Sequence, residues 1–177
     1  MLFQCPVRGS SSCRCRDPEN AVADLYGNRV RVRACGVFIS DNKLLLVNHT
    51  LYGSGTSFWN VPGGGVEFGE PATVALQREF EEETGLLVRV GELLFVNEFI
   101  NPPLHAIEMF FKIESADGNL KKGRDPEFSD NGQILKEVRF LSISELEQIP
   151  NSGRHGLLKN IKSFNEIFLL KGYRVFE

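Results

Sequence analysis

Glu79, Glu82 and Glu83 stand at positions i, i+3 and i+4. On a helix, successive residues turn by about 100°, so this spacing brings all three carboxylates to one face. Like charges so placed cost roughly 0.2–0.5 kcal/mol per pair, and a cation held between them offsets that repulsion. Carboxylate oxygens at this density suit a hard divalent ion, Mg2+ or Mn2+, rather than zinc. A solvated acidic helix face has the same composition, so the three glutamates gain meaning only from what surrounds them.

Ala72 and Ala75 lie near the carboxylate face and are small enough to leave room for ions and loops. Leu76 and Phe80 form a neighbouring apolar stripe that can dock on a sheet. Arg78 is placed to pair with Glu70 or with a helix carboxylate and so fix its rotamer. The glycines at 63–65 permit close backbone approach, so carbonyls or amides there can reach a metal or a phosphate.

The elements that must position these groups can be read along the chain. A helix is expected over residues 70–84, with Pro71 in its first turn and Gly85 as its stop. Residues 30–39 alternate and then become wholly apolar, a strand running from an edge into a core. Asp41-Asn42 is a turn signal, followed by a second short strand at 43–47. A polar loop leads to a brief apolar stretch at 58–61, ended by Pro62. Residues 86–100 read as extended with a break at Gly91-Glu92, Pro102-Pro103 as a turn, and 105–113 as another strand. Residues 116–132 read as a long mobile loop, and 138–141 as the last strand. Ser142 and Glu145 form a helix-start pattern. Residues 156–169 are expected to form a terminal helix with Leu157, Leu158, Ile161 and Phe164 on one face. Strands mixed with a few helices indicate an α+β or a three-layer α/β/α domain.

Composition narrows the class. The chain has 177 residues, 24% charged and 42% hydrophobic. That suits one domain, divided here into a tail over 1–28 and a domain over 29–177. No apolar run approaches the ~20 residues needed to span a bilayer, and the first residues lack the basic and apolar regions of a secretory signal. No membrane partner is expected. A net charge of −3 also argues against a general nucleic-acid binder. Cys5, Cys13 and Cys15 do not follow a zinc spacing and have no histidine nearby; they read as reduced thiols, with Cys35 a small core residue. The expected compartment is cytoplasmic. His49, His105 and His155 are scattered and make no metal pattern.

The spacing of residues 64–86 resembles the signature of the Nudix hydrolases, G-x5-E-x7-R-E-U-x-E-E-x-G-U, with U a bulky apolar residue. Gly64, Glu70, Arg78, Glu79, Phe80, Glu82, Glu83, Gly85 and Leu86 fill all specified positions. The resemblance implies a Nudix-type α/β/α sandwich around a mixed β-sheet, and hydrolysis of a nucleoside diphosphate linked to another group. It implies that Glu79, Glu82 and Glu83 bind divalent metal with help from a backbone carbonyl near Gly64, and that Glu70 and Arg78 support the helix by pairing. Mg2+ is the expected ion, with Mn2+ as the other choice. The general base would be a signature glutamate or a downstream acid among Glu114, Asp125, Glu127 and Asp130, with Glu127 preferred.

Pro102 lies sixteen positions after Leu86, an offset similar to that of the ADP-ribose pyrophosphatase branch; Pro102-Pro103 is equally a turn between strands. The stretch 27–37 also resembles bacterial members of that branch. The expected substrate is therefore ADP-ribose or another ADP-sugar, cleaved to AMP and a sugar phosphate. The alternatives are a nucleoside triphosphate pyrophosphohydrolase releasing pyrophosphate, and a nucleotide sensor without turnover, against which the intact signature speaks. Arg31 and Arg33 share a strand face and can either meet phosphates or remain solvated. Phe58 and Trp59 can stack on a base or pack. Dimeric relatives in that branch make a homodimer a further expectation.

The charge is also unevenly placed. Residues 67–83 hold six glutamates and one arginine, which leaves a balance of +2 on the rest of the chain. One dense anionic site thus sits on a slightly basic remainder, and such a site attracts pyrophosphate only through a bound metal.

Overall fold

The computed structural model describes residues 26–50, 57–124 and 133–176. Its centre is a mixed sheet in the order β5-β1-β7-β6-β9. These strands are β5 (Gly63–Gly65), β1 (Val30–Val37), β7 (Leu104–Asp117), β6 (Leu87–Asn101) and β9 (Tyr173–Arg174). β1 runs parallel to β7 and antiparallel to β5, while β6 and β7 form a long antiparallel hairpin. A smaller sheet is built on β3 (Lys43–Thr50), which pairs with β2 (Ile39–Ser40), β4 (Ser57–Asn60) and β8 (Leu135–Leu141).

Side chains alternate across a strand, so paired residues share a face. The register therefore lays rows across the main sheet. Gly63, Cys35, Phe110 and Phe95 form one row; Gly65, Arg33, Glu108 and Asn97 form the next on that face; Arg31, Ala106 and Phe99 follow. The first row is core: Cys35 and Phe110 are fully buried, and the Phe95 and Phe110 rings stack at 4.6 Å. Burial pushes the Cys35 thiol well above its usual range, with Glu108 adding to the effect, so it stays a protonated packing group.

The helix α1 (Ala72–Thr84) packs on the other face. Leu76 and Phe80 are fully buried there with Ala34, Phe111 and Ile113, as the apolar stripe requires. Pro71 is the residue before the helix rather than inside its first turn, and Gly85 closes it at φ 71° with its N–H on the Glu81 carbonyl. Such a left-handed closing residue favours glycine. A second core holds Trp59, Val61, Leu141, Leu146, Leu157, Leu158, Phe164 and Ile167 beside Phe95 and Phe110. Its short helix α2 (Ile143–Glu147) begins with the expected capping box, in which Ser142 and Glu145 each bond the other's backbone N–H.

Three further expectations are corrected. Residues 156–169 do not form one helix but two short 3-10 turns, Gly156–Leu158 and Phe164–Leu169. Asn160 takes a left-handed φ of 60° between them. The His155 and Ser163 side chains accept the N–H groups of Leu157 and Asn165, a local alternative to helical bonding. The apolar pattern keeps its meaning, since Leu157, Leu158 and Phe164 are buried. Second, β6 runs unbroken through Gly91-Glu92, and only its register against β7 slips there.

Third, the first part of the expected mobile loop is docked. Lys121, Gly123 and Arg124 donate their N–H groups to the carbonyls of Thr84, Glu83 and Glu82. These are among the carbonyls a helix end leaves without intrahelical partners. The 121–124 strap therefore caps the end of α1 that carries the glutamates. Tyr26 is buried and Asn28 donates to the Pro103 carbonyl, so ordered packing begins before residue 29. The expectations for Cys5, Cys13 and Cys15, and for the tail over 1–25, lie outside the described residues. No helix among the described residues is long and apolar enough to cross a membrane.

Candidate active site

A cavity of about 810 Å3 lies over the polar rows of the main sheet, with the carboxylate face of α1 as one wall. Arg78 organises that wall. Its Nη2 donates to Glu70 Oε1 at 2.9 Å and to the Gly65 carbonyl at 3.1 Å. Its Nη1 donates to Glu79 Oε1 at 2.9 Å and to Glu82 Oε2 at 3.4 Å. One guanidinium thus ties helix, glycine strand and Glu70 together. Arg78, and after it the Glu67 N–H, hold the Glu70 carboxyl below its usual range. The expected pairing of Glu70 with Arg78 is present.

Glu83 is held differently. It is 5% exposed, accepts the Gly63 N–H at 2.9 Å, and lies 3.1 Å from His49 Nε2. Gly64 is where the backbone comes closest: a Cβ there would fall inside the Glu79 carboxylate. Only glycine lets that carboxylate rest against β5. Ala75 is fully buried beside this face, so it packs rather than leaving open room.

Arg33 bends back to donate to the Gly63 carbonyl at 2.8 Å, and Arg31 lies 3.6 Å over the Tyr26 ring. Both line the cavity, as do Pro102, Phe58, Phe99 and His49. Glu114 pairs with Arg89 and is not part of the cavity wall. Glu127, Asp125 and Asp130 lie outside the described residues.

Sequence reading missed four residues. His49 braces Glu83 from β3. Glu108 and His155 line the cavity and form a buried polar group with Asn97. A lone acidic residue inside the apolar strand 105–113 was a signal for Glu108. Nothing in the sequence linked it to His155.

Burial, and then the charge of Glu83, raise Glu79 to about 7, against the opposing pull of Arg78. The folded protein then keeps a proton that the unfolded chain, with a carboxyl near 4.5, has released. The stabilisation this gives is full below about pH 4.5 and lost as the pH rises toward 7. In metal chelator, stability should therefore fall from pH 5 to 7.5, by up to about 3 kcal/mol from this group. Urea melts of wild type and Glu79→Gln at both pH values check this; the variant should lack that fall, and an identical slope would remove Glu79 as its source.

The NUDIX domain family matches residues 29–160. The chain belongs to the Nudix family. An ADP-ribose pyrophosphatase from Methanocaldococcus jannaschii is 34% identical over 119 residues, which cover 64% of this chain and 63% of that protein. The match therefore spans less than two thirds of the relative's length. Among solved structures, a MutT NUDIX hydrolase from Burkholderia pseudomallei matches with a TM-score of 0.58 at 22% identity, covering 71% of this chain and 93% of that one. A MutT protein from Methanosarcina mazei Go1 also gives 0.58, at 17% identity, with 80% and 92% covered. At these identities the two structures speak for the Nudix fold.

Nudix hydrolases generally use divalent metals. This Nudix domain fits such an ion in its donor chemistry: three carboxylates on one wall, all hard oxygen donors, and a glycine cradle that a Cβ would fill. Among the described residues, no three acidic, histidine or cysteine side chains converge on one point. Glu79 and Glu82 face Arg78, and Glu83 faces His49 and Gly63. The signature thus brings the three carboxylates to one wall, with Arg78 as the cation between Glu79 and Glu82.

Proposed function

We propose that this chain hydrolyses the pyrophosphate bond of ADP-ribose or a related ADP-sugar, releasing AMP and a sugar phosphate. The observation that carries the reading is the cavity in which the Glu79–Glu82–Glu83 wall faces a floor bearing Arg31 and Arg33. A carboxylate wall alone repels pyrophosphate, and a cationic floor alone would bind it without cleaving it. Together they suit a metal-bound diphosphate. The ADP-ribose pyrophosphatase relative supports the choice of substrate.

In this reading Glu79, Glu82, Glu83 and the backbone at Gly64 hold Mg2+, with Mn2+ as a substitute. A bound divalent ion neutralises the diphosphate and acidifies the attacking water. Glu79, whose proton affinity is raised in the metal-free protein, and Glu82 stand where protons must be handled. Glu127 is the proposed downstream base. Arg31, stacked over Tyr26, meets the substrate from the cavity floor, and Pro102 lines the same cavity. Arg33, which the Gly63 carbonyl already engages, contributes its charge while fixing the glycine strand.

The test is product analysis with Mg2+ and with Mn2+. ADP-ribose should yield AMP, and a panel of nucleoside triphosphates should yield little pyrophosphate. Triphosphate turnover without ADP-ribose turnover would replace this reading with that of a triphosphate pyrophosphohydrolase. Glu127→Gln should lower kcat by about 10²–10⁴-fold if that residue is the base; an unchanged kcat would exclude it.

A further inference from the structure

The floor of the cavity holds a carboxylate that the diphosphate chemistry leaves unused. Glu108 is 3% exposed and lines the cavity. Burial by itself would push its carboxyl up; His155, Arg33 and Asn97 reverse this and hold it at about 2. A buried charge of this kind adds little net stability over apolar packing, so its presence beside a ligand cavity calls for a reason.

Its two protein donors are fixed independently. His155 Nδ1 accepts the Leu157 N–H at 3.1 Å, which leaves the ring proton on Nε2, 2.9 Å from Glu108 Oε2. Asn97 Oδ1 accepts the Phe176 N–H at 3.1 Å, which turns its amide nitrogen to the same Oε2 at 2.9 Å. Both donors therefore go to one oxygen, and Oε1 is the carboxylate atom they leave for a ligand. Beside Glu108 the floor is made by Ala106, small and flanked by Phe99 in its row, with Phe58 also on the cavity wall. The Phe58 and Phe99 rings each lie 6.4 Å from the His155 ring. Ala106 and Glu108 lie on β7, two strands from β5 and so about 10 Å from it.

We propose that Glu108 reads the nucleobase, its Oε1 accepting an N–H from the 6-amino group of an adenine laid over Ala106 beside Phe99. The proposal rests on the adenine-nucleotide reading given above and adds the residue that enforces it. A base with a carbonyl at that atom presents a second acceptor to the carboxylate and is rejected. Asn97 and His155 are positioning residues that aim Glu108.

The decisive contrast is ADP-ribose against its hypoxanthine counterpart, which differs only by the 6-oxo group and N1 proton. Wild type should favour ADP-ribose by at least about 100-fold in kcat/KM, as a site built for an N–H rejects the analogue lacking it. In Glu108→Gln, Asn97 and His155 still donate, so the amide oxygen must face them and the NH2 must face the cavity. The preference should then fall by at least about 30-fold or invert toward the 6-oxo substrate. A purely structural role would lower both substrates alike. Equal use of the two by wild type, or an unchanged ratio in the folded variant, overturns the proposal. If Glu108→Gln does not fold, the wild-type ratio decides alone. Running ATP against ITP separates the two claims: ATP turnover without ADP-ribose turnover fails the substrate reading, while the ATP-to-ITP ratio still tests Glu108.

Discussion

Glu82→Gln is expected to lower kcat on ADP-ribose by on the order of 10³-fold while the protein stays folded. The size follows from the several kcal/mol of charge stabilisation that a properly held metal supplies, at 1.36 kcal/mol per tenfold. The tolerance follows from position. The Glu82 side chain is 28% exposed and meets Arg78 at 3.4 Å, a pairing of a kind worth about 0–1 kcal/mol. Glu83→Gln should be as inactive but less stable, because that carboxylate is buried and accepts the Gly63 N–H beside His49. Weakening such a charge-assisted buried bond costs about 1–3 kcal/mol. Steady-state rates with thermal melts measure both quantities. Near-normal turnover in both variants would show that α1 does not hold the metal.

The second large effect is expected from Gly64→Ala. The new Cβ would occupy the space of the Glu79 carboxylate. The Gly64 φ is not left-handed, so the backbone accepts alanine and the cost falls on Glu79. Glu79 would be pushed from β5 and from Arg78, and kcat should drop by at least about 100-fold, a scale comparable to losing one preorganised charge-stabilising contact. A melting temperature close to wild type would accompany the loss. If kcat stayed within threefold, Glu79 would not need its place against the glycine strand. Gly63→Ala differs in kind: its Cβ would meet the Ala34 carbonyl at a φ of 147°, so pairing of β5 with β1 should fail and with it the fold.

The parts of this site that the sequence made legible are those within one contiguous stretch. Gly64, Glu70, Arg78, Glu79, Glu82 and Glu83 are placed by one loop and one helix, so helical geometry sufficed to put the carboxylates on one wall and Arg78 beside Glu70. The opposite side of the cavity was not legible. Arg33 meets Glu108 only because β1 pairs in parallel with β7, and Glu108 meets Asn97 only through the β6–β7 register. His155 arrives 47 residues further on through a turn. No local periodicity encodes such pairings. Residues 156–169 had helical spacing but not helical backbone, because Asn160 and the His155 and Ser163 side chains broke the bonding locally. The 121–124 strap looked like a loop in composition; what orders it is the set of carbonyls left at the end of α1, visible only in three dimensions.

The central claim joins the α1 carboxylates, a divalent ion and the pyrophosphate bond of an ADP-sugar. The most direct test incubates the wild-type protein with ADP-ribose in Mg2+ and, in parallel, in EDTA, and separates the products. Equal amounts of AMP and sugar phosphate in Mg2+, with intact ADP-ribose in EDTA, are the predicted result. ADP-ribose left intact in both, or cleaved equally in both, would contradict the account.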